Sequence, residues 1–306
     1  MSDSRRRESF RALREGGPVS LREHAAAKRE GEIMKIAKSP VVTMAPTTPV
    51  YDAIQIMSKK GFRRIPVTDP GTKKLLGIIT AMDIINYLGG GQKFQIIQQR
   101  HKGSFFKAIY EPVKTIMTHK VISVSTLSKV DDAIELMKEH NVGGLPVIDK
   151  QERVWAIITE RDIAFMFTGR LSGMKVASVM SPRVVTASPS TSIFEAEKTM
   201  VSHGFRRLPL VAEGKLEGIL TVMDIIRFFG TGKVFHYVKS GAITQVLQTP
   251  VIEIAETKVL TVKPQIDLGE AAEIMSKNNI GALPVVDNTN KLVGIITERD
   301  FFKVIA

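Results

Sequence analysis

The chain has 306 residues, 43% of them hydrophobic and 24% charged, and carries a formal net charge of +12. The absence of cysteine excludes disulfides, thiolate metal sites and a cysteine nucleophile, and fits a reducing, cytoplasmic setting. No apolar run approaches the ~18 residues of a membrane helix, while the positive surplus favours phosphate-bearing partners.

Residues 1–32 are polar and lack apolar periodicity, with Arg5, Arg6, Arg7, Arg11 and Arg14 set among Ser, Glu and Gly. They contain no apolar core of a secretory signal. They read as a solvated leader, or as a basic arm for nucleic acid or an acidic partner.

From residue 33 to 89 the sequence predicts a β-α-β-β-α unit. SPVVTM reads as a short strand, Thr48-Pro49 as a helix cap and first turn, and Val50, Ala53, Ile54 and Met57 recur at helical spacing. RIPV is a second strand, DPGTKK a turn, and LLGIIT a third strand. DIINYL opens a second helix that ends at Gly89, Gly90 and Gly91. A linker follows over 90–112. The same order returns over 113–169, with Ser128 as the expected cap, and again over 176–230. A second linker at 231–252 leads to a last copy at 253–306.

The spacing makes this a four-fold repeat. Ala53, Ala133, Ala196 and Ala271 each stand four residues before Met57, Met137, Met200 and Met275; nine residues later come Pro66, Pro146, Pro209 and Pro284. Each copy then closes on Thr-x-x-Asp. Copies one and three share GFRR and MDII, and their glycine-rich GGGQKF and GTGKVF stretches match. Copies two and four share LPV after an Asn-led turn, and ITERD. An isolated unit of this size would bury only about 60% of its unfolded surface, so the copies are expected to pack in pairs.

The V-x-T/S strand, the Ala-x-x-x-Met helix, the LPV strand and the G-I-I-T-x-x-D block resemble CBS domains, over about 33–306. The resemblance implies an α/β fold of the α+β type, with four β-α-β-β-α repeats paired into two Bateman modules. It is similar in arrangement to the γ subunit of AMP-activated protein kinase. It further implies clefts for an adenosine-containing regulatory ligand (AMP, ADP, ATP or S-adenosylmethionine), with no required cofactor and no metal.

Thr80 with Asp83, Thr159 with Asp162, Thr221 with Asp224, and Thr297 with Asp300 each have capping-box spacing, in which side chains satisfy free N–H groups at a helix start. The same carboxylates could accept both hydroxyls of a ribose, the role the resemblance assigns them. Arg63, Arg64, Arg206 and Arg207 precede the second strand and carry guanidiniums that match phosphate geometry. Copies two and four have Gly144 and Ala282 at that place and offer Arg161 and Arg299 instead, so phosphate recognition is expected to be asymmetric within each pair. Thr43, Ser123, Thr186 and Thr261 lie on the first strand, where the family lends groups to adenine or ribose; β-propensity alone explains them equally well.

The expected function is a non-catalytic sensor whose ligand-driven change is read by an effector protein. An enzyme related to inosine monophosphate dehydrogenase is the remote alternative, because its barrel needs about 250 residues and the repeats leave no such length. A nucleic-acid role has more support. Lys93, Arg100, His101, Lys102 and Lys107 are interleaved with Phe94, Phe105, Phe106 and Tyr110, a mixture suited to single strands. The resemblance implies either a disk-like homodimer or a disk closed by four copies within one chain.

Overall fold

The computed structural model describes residues 31–170, 172–236 and 241–304. Residues 1–30 of the expected leader and 237–240 of the second linker lie outside the described residues. In repeat 1, α1 (Val50–Lys60) is followed by β1 (Arg64–Thr68), β2 (Leu75–Thr80) and α2 (Ala81–Ile85). Two further helices, α3 (Phe94–His101) and α4 (Phe105–Ile109), form in the linker. Repeat 2 comprises β3 (Val124–Ser125), α5 (Val130–Glu139), β4 (Gly144–Ile148), β5 (Val154–Thr159) and α6 (Glu160–Ala164). Repeat 3 has α7 (Ile193–His203), β6 (Arg207–Ala212), β7 (Lys215–Thr221) and α8 (Val222–Gly230). Repeat 4 has α9 (Leu268–Lys277), β8 (Ala282–Val286), β9 (Leu292–Thr297) and a closing 3-10 helix, Glu298–Lys303. The architecture is α+β, built of four such repeats.

The opening strand expected in each copy forms fully only in repeat 2, where β3 pairs in parallel with β4. Elsewhere it shrinks to single parallel bridges, Met44 to Val67, Ala187 to Leu210 and Val262 to Val285. The cause is one residue. Thr126 donates its N–H to Ile148 O, whereas Pro46, Pro189 and Pro264 stand at the equivalent place and have no N–H to give. The first-helix caps also differ from expectation. The residues at the N-cap positions are Pro49 and Lys129, one after Thr48 and Ser128; Ser192, in repeat 3, does form a capping box with Glu195.

Two compact units emerge, each holding two repeats. Among the described residues, one contains those of 42–121 and 185–259, which are repeats 1 and 3; the other contains those of 31–41, 122–184 and 260–304. In the first unit Ile54, Met57, Ile84, Leu88, Met200, Ile225 and Ile226 are fully buried in one core drawn from both repeats. Each such side chain contributes about 1.5–3 kcal/mol by burial. The helix expected to end at the glycine triplet continues through Gly90 as a π-helical turn, Asn86–Gly90. A Cβ on Gly90 would stand 2.7 Å from Glu197 O, so only glycine permits this approach to α7. Gly230 meets Ser58 of α1 at the same 2.7 Å.

The segment that opens each repeat does not close its own β-hairpin. Residues 113–118 run onto repeat 1, where Thr118 and Ile78 exchange N–H···O bonds of 2.9 Å. Lys38 bridges Ile157 of repeat 2, Ser181 bridges Ile295 of repeat 4, and Glu256 bridges Ile219 of repeat 3, all antiparallel. Each partner isoleucine lies two residues before the motif threonine, so the foreign segment arrives directly beside Thr-x-x-Asp.

Candidate functional site

The strand β2 ends at Thr80 because its β-branched residues give way to Ala81-Met82-Asp83, where the backbone turns into α2. The threonine and aspartate make that turn possible. Asp83 Oδ2 accepts from Thr80 N at 2.9 Å and from Thr80 Oγ1 at 2.6 Å, and Asp83 N donates back to Thr80 Oγ1 at 3.1 Å. The capping box recurs in all four repeats. Asp162 Oδ2 accepts from Thr159, Asp224 Oδ2 from Thr221, and Asp300 Oδ2 from Thr297, at 2.6–3.0 Å.

The capping explanation therefore accounts for one oxygen of each aspartate. The other oxygen, Oδ1, faces a cation every time: Lys93 at 2.6 Å from Asp83, Lys38 at 3.0 Å from Asp162, Arg227 at 2.8 Å from Asp224 and Lys303 at 2.7 Å from Asp300. These four cations come from three different places relative to the motif. Lys93 follows the motif by ten residues, Arg227 and Lys303 by three, and Lys38 belongs to the exchanged segment. Val234 occupies the place of Lys93 in repeat 3 and is buried, which is why Arg227 is needed there. The aspartates are 6–12% exposed, so a cation on Oδ1 offsets the cost of holding a carboxylate out of water. The motif does not signal Lys38 or Lys93, while Arg227 and Lys303 stand at the i,i+3 spacing of a helix face.

Two of the cations also grip the exchanged segment. Lys93 Nζ donates to Ile116 O at 2.5 Å, and Lys303 Nζ to Val179 O at 2.6 Å. A single ammonium thus ties the motif aspartate to a segment borrowed from a neighbouring stretch of sequence.

Arg64 and Arg207 sit beside the motif, because strand register pairs Arg64 with Thr80 and Arg207 with Thr221. Gly144 and Ala282 take that register position opposite Thr159 and Thr297. Arg63 and Arg206 are anchored through their carbonyls, which accept from Ala81 N and Val222 N at 2.9 Å. Thr43, Ser123, Thr186 and Thr261 each directly precede the bridging residue of the opening strand.

Arg161 and Arg299 have a different engagement. Arg161 Nε donates to Glu298 Oε1 at 2.6 Å and Nη1 to Asn279 Oδ1 at 2.5 Å. Arg299 Nε donates to Glu160 Oε1 at 2.5 Å, and its Nη1 to Asn141. Repeats 2 and 4 thereby clasp each other through reciprocal ion pairs. The asparagines belong to the same device: they stop α5 and α9 in left-handed backbone, φ 52° and 53°, where repeats 1 and 3 use Gly61 and Gly204 at 68°.

The electrostatics of the four aspartates are unequal. Asp224 is raised above the ordinary carboxylate value, chiefly by burial, with Glu256 adding repulsion while the Thr221 hydrogen bonds and Arg227 oppose it. The basic and aromatic linker is largely self-satisfied. Arg100 and His101 turn onto Glu111 at 2.6 and 2.7 Å, and Phe105 is buried. Phe106 and Tyr110 remain exposed. Among the described residues there is no cluster of His, Asp and Glu able to hold a metal, and no helix is long and apolar enough to cross a membrane.

Comparison with known proteins gives a consistent picture. The family model described as "CBS domain" matches residues 31–90, 113–168, 176–230 and 251–306. Protein MJ1225 of Methanocaldococcus jannaschii is 39% identical over 276 residues, spanning 90% of this chain and 99% of its own. Its crystal structure, described as that of a proposed archaeal homologue of γ-AMPK, superposes with a TM-score of 0.86 at 38% identity, covering 90% of this chain and 100% of that one. A 33.4 kDa protein from the ribosomal RNA operon of Thermofilum pendens is 32% identical over 268 residues, 87% of this chain and 89% of that protein. The likeness to inosine-5'-monophosphate dehydrogenase of Nitrosopumilus maritimus is partial: 33% over 112 residues, 36% of this chain and 23% of the enzyme.

Proposed function

The chain belongs to the CBS-domain family, and from that premise we propose that it is a non-catalytic regulatory sensor of adenosine-containing ligands (AMP, ADP, ATP or S-adenosylmethionine) that signals to an effector protein. The observation that carries this reading is the division of labour within each motif aspartate. Oδ2 is committed to the capping box, while Oδ1 is held by a side-chain cation that a neutral donor can replace. Ribose hydroxyls are such donors. A hydroxyl on Asp83 Oδ1 displaces Lys93, whose ammonium is then free to meet the ligand's phosphates beside Arg64. The same exchange serves Arg227 beside Arg207.

That exchange also supplies a route from occupancy to conformation. Lys93 leaves Ile116 O and Lys303 leaves Val179 O when their aspartates turn to ribose, so the grip on the exchanged segment loosens. The ligand shifts the equilibrium between gripped and released segments by its difference in affinity for the two. This proposal includes phosphate contacts from Arg63, Arg64, Arg206 and Arg207, and adenine or ribose contacts from Thr43, Ser123, Thr186 and Thr261. Arg161 and Arg299 can join only by giving up their carboxylate partners.

Calorimetry with AMP, ATP and S-adenosylmethionine tests the reading. Binding that weakens at least tenfold in the Asp83→Ala/Asp224→Ala double variant is expected; heat from none of the three, or unchanged affinity in that variant, defeats it.

A further inference from the structure

One residue of each exchanged segment occupies the same station in all four repeats: Lys38, Thr118, Ser181 and Glu256. In every case its backbone N–H and C=O trade bonds with the isoleucine two residues ahead of the motif threonine, at 2.8–3.1 Å. In repeat 2 the side chain at this station reaches the motif, with Lys38 Nζ 3.0 Å from Asp162 Oδ1. Glu256 holds the matching station beside the strand that ends at Thr221, where its charge adds to the rise of the Asp224 carboxyl. The backbone arrangement is repeated while the charge at the station is positive, neutral, neutral and negative in turn.

We infer that this station sets the ligand charge each ribose site accepts, and that Glu256 makes the Asp224 site discriminate against polyphosphates. The inference rests on the reading that Thr-x-x-Asp binds adenosine ligands. At Asp224, Arg207 and Arg227 draw phosphate in, and Glu256 sets an upper limit on how much negative charge is tolerated. At Asp162, Gly144 provides no guanidinium, and Lys38 supplies the positive charge instead. A site near Glu256 thus favours adenosine or a monophosphate, and the site near Lys38 favours a triphosphate. Electrostatic complementarity of this kind governs selectivity more than total affinity.

Titration of the full-length chain with adenosine, AMP and ATP, in wild type and in Glu256→Gln, tests this. Glu256 is exposed, and the one side-chain bond shown for it accepts from Lys258 N, so the variant retains its fold. ATP affinity is expected to rise about tenfold with adenosine unchanged, further in Glu256→Lys, and the gain is expected to vanish when Asp224→Asn is added. Lys38→Gln should lower ATP affinity relative to adenosine. Equal shifts for ATP and adenosine, or no shift, overturn the inference while leaving nucleotide binding intact. Absence of binding by all three ligands in every variant overturns the underlying reading, and this inference with it.

Discussion

Arg161 Nε lies 2.6 Å from Glu298 Oε1, a carboxylate 2% exposed, and joins repeat 2 to repeat 4. Removing one member of such a pair strands the other in a dry site. Glu298→Ala is expected to destabilise the chain by about 3–5 kcal/mol. Replacing both, as Arg161→Met/Glu298→Leu, should recover most of that loss. Chemical denaturation of the two variants checks this, and equal destabilisation in both would show that the pair is not the unit of stability.

Glu197 presents the opposite situation. It is fully buried on α7 and neither carboxyl oxygen has a hydrogen-bond partner among the described residues. Repeats 1 and 2 place Ile54 and Ile134 at the same helical position. Glu197→Ile is therefore expected to stabilise by about 1–3 kcal/mol, the cost of an unsatisfied buried polar group.

Its titration gives a second, independent measurement. Burial raises the Glu197 pKa well above 4.5, so between those two values the folded state binds more protons than the unfolded. Stability from this group is then fully present below about 4.5 and falls as pH rises toward the folded value. The difference between wild type and Glu197→Ile should be smallest in acid and widen with pH. A difference independent of pH would mean the carboxyl is ionised or partnered in the native state.

Much of this fold was legible in the sequence. Period, helix faces and the Thr-x-x-Asp turn follow from local chemistry that the chain repeats four times. The opening strands of repeats 1, 3 and 4 are shorter than their β-like runs suggest, because the proline that follows each bridge lacks the next N–H of the ladder. Glycine suits both a helix end and close helix contact, so the triplet alone does not reveal that the helix continues through Gly90. Its second role depends on Glu197 and Val201, more than a hundred residues away. Of the cations on Oδ1, Lys38 is hidden for the same reason, since it meets Asp162 only through an exchanged segment, whereas Arg227 and Lys303 stand at the i,i+3 spacing of a helix.

Gly90 offers a direct test of that second role. Gly90→Ala sets a methyl against the backbone of α7, and overpacking of this kind costs about 1–3 kcal/mol. Gly71, in an exposed turn with only the Asp69 side chain nearby at 3.6 Å, is the control and should tolerate alanine within about 0.5 kcal/mol. Thermal melts of both variants decide it, and similar losses at the two positions would refute the packing explanation.

Lys93→Met separates the two duties proposed for that side chain. The folded state loses the 2.6 Å contact with Asp83 and the bond to Ile116 O, while a bound nucleotide loses a phosphate contact. ATP binding should weaken more than adenosine binding in calorimetry. Equal weakening would leave Lys93 with a structural duty alone.

The borrowed segments bear on how such a chain can be cut and inherited. A fragment ending at residue 90 would lack Thr118, whose backbone caps the Ile78 edge, and would carry Lys38 with no Ile157 to meet. The boundaries along the sequence and the boundaries in space are out of step by one segment. A single repeat is therefore not a transferable part: whatever is duplicated, trimmed or grafted must include the stretch that completes its neighbour. No two repeats form a self-sufficient piece, because segments are exchanged between repeats 1 and 2 and between 3 and 4 while one core is drawn from repeats 1 and 3.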